Sequence, residues 1–298
     1  MKTALLIALH DRFKKYDAWL NRQPLSPHTK RAYRTRLNHF FGYIGSCGQD
    51  YGDLLSDQHS RDFAVRDYRT YLKRTAKAKP ATVNTTLAAI DHFYIHIGLG
   101  APTIKREDLP QLAPRALSAE EQKKFLREVE RCNSAKYQAL ATVLLNTGIR
   151  IGECAALDLD DVLAGARKGN ITIRNGKGDK YREVPLNIAG RESIRKWLTE
   201  RKLRYAKTKD PALFINKFGK RITTAGIDLI IRQLGRKAGL ELSAHVLRHT
   251  CLTNLVRNGN DLVLVAEIGG HKKLETTRRY TLPSAEDRQK AMEGLVSE

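Results

Sequence analysis

Apolar residues recur at helical spacing along most of the chain, and between residues 1 and 97 they predict four or five helices. The first covers about 3–20. Ser26-Pro27 opens the second as cap and first-turn proline, and Tyr33, Leu37, Phe40, Phe41 and Ile44 follow on one face. A third, near 61–74, offers Val65, Tyr68, Tyr71 and Leu72. A fourth, over about 80–96, offers Val83, Leu87, Ile90, Phe93 or Tyr94, and Ile97.

Periodicity fades between Gly98 and Ala116, where prolines and glycines cluster, so this stretch is the expected linker. Four segments result: a helical domain over 1–100, a linker over 101–116, a second domain over 117–283 and a tail over 284–298. The second domain starts sharply, because Ser118 and Glu121 form a capping box ahead of Phe125, Leu126 and Val129. A strongly apolar helix over 134–146 stops at Thr147-Gly148, and a short helix starts near Arg150. The period then changes. Residues 171–174 and 181–186 read as two strands of a hairpin, with Lys177 at its tip, and 212–215 reads as a third strand. Helices resume over 188–203, 223–238, 243–258 (Ser243 as N-cap) and 261–268, the last ended by Gly269-Gly270. A further helix is expected to carry Tyr280, and Pro283 separates it from a tail helix over 285–296.

Charge changes this picture from a generic helical protein to one suited to polyanions. The formal net charge is +21, with +8 up to Pro110 and +13 beyond it, so no tail holds the excess. Nucleic acid is the favoured partner and an anionic membrane surface the weaker one. On the polar helix faces stand Lys30, Arg31, Arg34, Arg66, Arg69, Lys77 and Lys79, and the linker adds Lys105 and Arg106. Any one of these is equally an ordinary solvated residue; as a set they favour backbone contacts to a duplex. The four cysteines are far apart and suggest reduced, buried thiols rather than a disulfide framework or zinc site. The opening apolar run stops at Leu9 without a cleavage pattern and reads as a helix, and no run approaches a membrane span.

The chemistry concentrates in residues 243–280. His245 and Arg248 lie three apart in one helical turn, whose backbone N–H groups also favour an anion. A guanidinium fork matches two phosphate oxygens, and an imidazole moves protons near neutral pH. Arg150, at a helix start, pairs with Glu153 three residues on, or faces a phosphate while Glu153 holds it in place. Lys177 could reach a leaving-group oxygen, with Lys180 as its rival, or both could be solvated turn residues. His271 follows the double glycine as either a ligand contact or a polar cap. Tyr280 is the candidate nucleophile. A phenol with a pKa of about 10 needs neighbouring positive charge or a proton acceptor to attack.

These residues together resemble the tyrosine recombinase family, the integrase-type site-specific recombinases. The family's Thr-Gly-x-Arg-x-x-Glu box is matched by Thr147 to Glu153, its hairpin lysine by Lys177, and its His-x-x-Arg-His box by His245 to His249. Gly270-His271 and Tyr280, nine residues later, complete the order. Gly269 departs from the family's usual leucine, and Cys251-Leu252 from its frequent Phe-Ala. The resemblance implies a mainly α fold: a helical N-terminal core-binding bundle plus a mainly helical catalytic domain with a small antiparallel sheet, forming a C-shaped DNA clamp. It leaves no room for an arm-binding domain, because the core-binding pattern starts near residue 3.

It further implies Tyr280 attack on a phosphodiester, giving a 3′-phosphotyrosyl enzyme and a free 5′-hydroxyl. Arg150 and Arg248 would bind the non-bridging oxygens, Lys177 would protonate the leaving oxygen, His245 would assist the Tyr280 proton, and His271 would support a phosphate oxygen. His249 is read as a structural neighbour. No metal, ATP or other cofactor is called for. The implied partners are duplex DNA carrying specific sites and a homo-tetramer on it, or a hetero-tetramer with a related recombinase, with the tail helix docked on a neighbour or on its own domain. The expected setting is the cytoplasm of a bacterium or archaeon, resolving dimers or moving a mobile element. Two other readings are a type IB topoisomerase-like enzyme, which would not need two sites, and a noncatalytic DNA-binding regulator, which would not need Tyr280.

Overall fold

Most of the helices begin where side chains can replace missing backbone partners. In this computed structural model, which describes residues 2–109, 113–174, 181–283 and 285–295, most predicted caps are in place. Ser26 Oγ accepts from the Thr29 N–H at 3.0 Å, with Pro27 in the first turn. Ser118 and Glu121 close a reciprocal capping box. The chain divides into two compact units, Met1–Pro110 and Gln111–Glu298.

The first unit is built from α1 (Lys2–Arg22), α2 (Pro27–Ser46), α3 (Gln58–Arg74) and α4 (Pro80–His96). Each turns one apolar stripe inward, and Tyr16, Leu37, Phe40, Tyr68, Leu87 and Phe93 meet in its core. The segment expected as a linker is partly tied down here. Glu107 is gripped by Arg69 and, at 2.9 Å, by Lys73; Asn84 donates to the Glu107 carbonyl, and Arg106 pairs with Asp91. Two glycines and three prolines suppress a helix without preventing these ion pairs, which composition alone does not reveal.

The second unit holds α5 (Ala119–Arg131), α6 (Ala135–Thr147), α7 (Ile151–Ala156), α8 (Ile188–Arg204), α9 (Thr224–Lys237), α10 (Ala244–Arg257), α11 (Leu262–Gly269), α12 (Leu274–Arg278) and α13 (Ala285–Glu293). Helix α6 is apolar on nearly every side because it is surrounded, packing against α8, α9, α10 and α5. A three-stranded antiparallel sheet runs in the order β1 (Val162–Ala164), β2 (Gly169–Arg174), β3 (Tyr181–Pro185). Ile171 pairs with Val162 on one side and Val184 on the other.

Two expectations change. Residues 212–215 form no strand, only single bridges from Ala212 to Asp158 and from Ile215 to Arg221. The run is apolar because it is buried in the core, and side chains satisfy its backbone: Trp197 Nε1 donates to Leu213 O at 2.8 Å and Arg201 to Ala212 O at 2.9 Å. The third strand is instead the three-residue β1, too short to show alternation. Tyr280 is not on a helix either. Helix α12 ends at Arg278, and the Tyr280 N–H closes a turn to Thr277 O at 2.9 Å. Of the cysteines, Cys154 and Cys251 are buried and Cys47 and Cys132 only half-buried. No described helix is long and apolar enough to cross a membrane.

Candidate active site

Three successive carbonyls at the end of α11 gather three arginines. Ile268 O accepts from Arg182 Nε at 3.1 Å, Gly269 O from Arg248 Nη2 at 2.7 Å, and Gly270 O from Arg150 Nη2 at 2.8 Å. A helix C-terminus leaves its last carbonyls without intrahelical partners and carries the negative end of the helix dipole, so cations are favoured there. Gly270 permits the close approach. Its φ is +63°, and a Cβ at that position would lie 2.8 Å from the Arg182 guanidinium and 3.1 Å from Arg150 Nη1. Gly270→Ala is therefore expected to displace both guanidiniums and slow strand cleavage by roughly 10- to 100-fold. Single-turnover cleavage at the wild-type rate by this variant would contradict that packing argument.

Arg150 reaches the cluster from the N-cap of α7, after Gly148 turns the chain with φ +61°. Glu153 holds it as the sequence suggested: Oε2 accepts the Arg150 backbone N–H at 2.7 Å and Oε1 accepts Nη1 at 2.9 Å. Burial alone would raise the Glu153 pKa, but hydrogen bonds from Arg182 and from the Arg150 backbone overturn this and keep it below the usual carboxylate range. The Arg150 side chain remains 43% exposed, whereas Arg248 is only 3% exposed. One guanidinium thus faces solvent while the other forms the floor.

Arg248 donates to Gly148 O, Gly269 O and, at 2.8 Å, His271 Nε2. Because a guanidinium only donates, Nε2 must accept, and the proton of His271 sits on Nδ1, 2.7 Å from Thr277 Oγ1. In this arrangement His271 has no N–H left for a phosphate. Burial, then Arg248 and Arg150, pushes its pKa down to about 4.

The histidine hydrogen-bonded to Tyr280 is His249, with Nδ1 2.9 Å from the phenolic oxygen, rather than His245. Burial and the neighbouring His245 and Arg248 push His249 down to about 4, so it is neutral and can accept. Tyr280 is buried, and this raises its pKa; Arg248 and Arg279 oppose the rise. The Tyr280 ring lies parallel to His271 at 5.9 Å, and the exposed His245 meets His249 edge-on at 4.6 Å. The first-turn N–H groups of α10 are partly occupied: Ala244 donates to Asp228 at 3.0 Å and Val246 to Ser243. They offer a phosphate less than the sequence suggested.

His249 and His271 give a pH prediction. Each has a folded pKa depressed from about 6.5, so its contribution to stability is complete above that value. It is lost as pH falls from about 6.5 toward about 4. The melting temperature is expected to fall through this window, and less steeply in His249→Phe; an equal slope in both proteins would contradict the assignment.

The structure brings together Arg150, Glu153, Arg248, His249, His271 and Tyr280. Lys177 and Lys180 lie outside the described residues. Arg182 and His249 had no assigned chemistry in the sequence, since their partners Glu153 and Tyr280 are distant along the chain. Among the basic residues of the first unit, Arg34 is held by Asp17 and Asn21, Arg69 by Glu107 and Arg106 by Asp91, while Lys30 donates to Asn21 O at 2.7 Å. Arg31, Arg66, Lys77, Lys79 and Lys105 are exposed and make no ion pair among the described residues. No described cluster of His, Cys, Asp and Glu could hold a metal ion.

Residues 115–287 match the phage integrase family, and residues 13–96 match the phage integrase N-terminal SAM-like domain. The chain belongs to the phage integrase family and is a tyrosine recombinase. It is 30% identical to tyrosine recombinase XerC of Pseudomonas aeruginosa over 286 residues, covering 89% of this chain and 88% of that protein. With tyrosine recombinase XerA of Pyrococcus furiosus it shares 26% identity over 288 residues, covering 94% of this chain and 92% of the other. Among solved structures, XerH recombinase bound to its difH substrate superposes with a TM-score of 0.71 at 25% identity, over 90% of this chain and 80% of that one. The Tn1549 transposon integrase with transposon-end DNA shares the fold, with a TM-score of 0.70 at 18% identity, over 97% and 99%.

Proposed function

We propose that the protein cuts and rejoins duplex DNA at specific sites through a 3′-phosphotyrosyl intermediate. The observation that carries this reading is the meeting of Arg150 and Arg248 on the Gly269-Gly270 turn, with Tyr280 held against His249 on the same helix as Arg248. Tyr280 Oη attacks phosphorus and forms the new phosphoester as the bond to the 5′ oxygen breaks. The phenolic proton passes to His249 Nδ1, already at hydrogen-bond distance, and His245 beside it relays the proton outward. Arg150 and Arg248 place fixed positive charge where the non-bridging oxygens gain negative charge. Lys177 supplies the proton to the departing oxygen, and the 5′-hydroxyl of a partner strand reverses the step. One phosphoester replaces another, so the exchange needs no external energy source.

In this reading the exposed cations Arg31, Arg66, Lys77, Lys79 and Lys105 grip the phosphate backbone, and two duplexes are held by four copies of the chain. From the tail helix, Asp287 is 2.6 Å from Arg257. On DNA we place this helix on a neighbouring copy. The biological role is resolution of plasmid or chromosome dimers or movement of a mobile element, in the cytoplasm. A plasmid carrying two copies of a candidate site tests the function. Reciprocal exchange that disappears when one site is deleted is expected; equal relaxation of supercoils with one site or none would instead mark a topoisomerase.

A further inference from the structure

Arg182 is built into the arginine cluster more firmly than a hairpin side chain requires. It leaves β3 with its side chain only 11% exposed and donates from all three of its nitrogens. Nη1 reaches Glu153 Oε1 at 3.0 Å, Nη2 reaches Oε2 at 2.7 Å, and Nε reaches Ile268 O at 3.1 Å. Three separate elements, α7, β3 and the end of α11, are joined through one guanidinium. Its planar fork is what permits this, since an ammonium has no fixed geometry for two carboxylate oxygens and a carbonyl at once.

The charges explain why a second arginine should be here. Arg150 and Glu153 alone would form a neutral pair, with the carboxylate free to close around the Arg150 fork. Arg182 takes the bidentate face of Glu153 and leaves Arg150 a single side-chain bond to it, at 2.9 Å. Two guanidiniums and one carboxylate then carry a net charge of +1, and the exposed member of the trio is Arg150. We propose that Arg182 is a positioning residue for strand transfer: by occupying Glu153 it keeps the charge and the fork of Arg150 available to the scissile phosphate. This rests on the strand-transfer reading above for its consequence, though not for its geometry.

The test uses the full chain with three variants: Arg182→Gln, Arg182→Lys, and Arg182→Gln combined with Glu153→Gln. Single-turnover adduct formation on a nicked suicide duplex is measured beside DNA affinity. Arg182→Gln is expected to slow adduct formation by about 100-fold while affinity changes less than about threefold. The double variant is expected to recover roughly tenfold of that loss, because the carboxylate that would capture Arg150 is gone. A merely structural Arg182 predicts the reverse, a double variant as slow as the single one or slower, and that result overturns the proposal.

A second readout needs no DNA. In protein labelled with 15N-arginine, the Arg150 Nε–H resonance, assigned through Arg150→Lys, is expected to move in Arg182→Gln and to return toward the wild-type position in the double variant. An Arg150 resonance unchanged by Arg182→Gln also overturns the proposal. If Arg182→Gln does not fold, Arg182→Lys, alone and combined with Glu153→Gln, takes its place in both measurements, with the same outcomes counted. A wild-type protein that forms no adduct would defeat the strand-transfer reading itself, and the resonance then decides the positioning role alone.

Discussion

The Tyr280→Phe protein is expected to bind its DNA site normally and to form no covalent adduct. The substitution removes one oxygen and leaves the ring, which is 6% exposed and lies parallel to His271, so its packing should survive. The lost bond to His249 costs stability on the order of 1 kcal/mol, small beside the loss of the proposed nucleophile. No other phenol is hydrogen-bonded to His245 or His249 among the described residues, so none should substitute. Denaturing gels of a nicked suicide duplex read the adduct, and equilibrium binding reads the affinity. An adduct of equal yield in Tyr280→Phe would remove this residue from the reaction.

Arg248→Lys is expected to fail in both catalysis and stability, although it keeps the charge. The guanidinium bridges Gly148 O and Gly269 O while also donating to His271, and Arg248 itself is nearly closed to water. A lysine amine cannot span these carbonyls in one position, so buried acceptors lose their donor. Each unsatisfied group costs about 1–3 kcal/mol, which predicts a clear drop in melting temperature. Cleavage should fall by roughly 1000-fold or more, because in the proposed reaction a fixed donor to the developing phosphate charge is lost and the Gly269-Gly270 turn that also holds Arg150 is loosened. A variant that folds with unchanged stability and cleaves within about tenfold of wild type would show that Arg248 neither supports the turn nor meets the phosphate.

How much could be read in advance depended on the reach of each interaction. Caps are local, so Ser26, Ser118 and Ser243 mark helix starts that the structure reproduces. The Arg150–Glu153 pair is also local, three residues apart on one short helix. Strand β1 was missed because three residues show no period, and 212–215 was misread because burial alone makes a run apolar. The turn carrying Tyr280 was hidden by a helix that ends after five residues.

The site is divided in the same way. Order and spacing of the motifs singled out Arg150, Arg248, His271 and Tyr280. They could not say that α11 ends in three carbonyls, each taking one arginine, since those arginines come from positions 150, 182 and 248. Nor could they distinguish His249 from His245 as the partner of Tyr280. Both rings lie one helical turn apart, and only the placement of the loop after α12 selects between them. The sequence reading of α10 as an anion-binding helix start weakened for a related reason: Asp228 comes in from α9 to take the Ala244 N–H.

The most direct measurement is mass spectrometry of the wild-type adduct after digestion of protein and DNA. Tyr280 follows Arg279, so trypsin should release peptide 280–288. The account predicts that this peptide carries the nucleotide, joined through its 3′ phosphate to the Tyr280 oxygen. The nucleotide found on any of the other tyrosines, or attached through a 5′ phosphate, would contradict it.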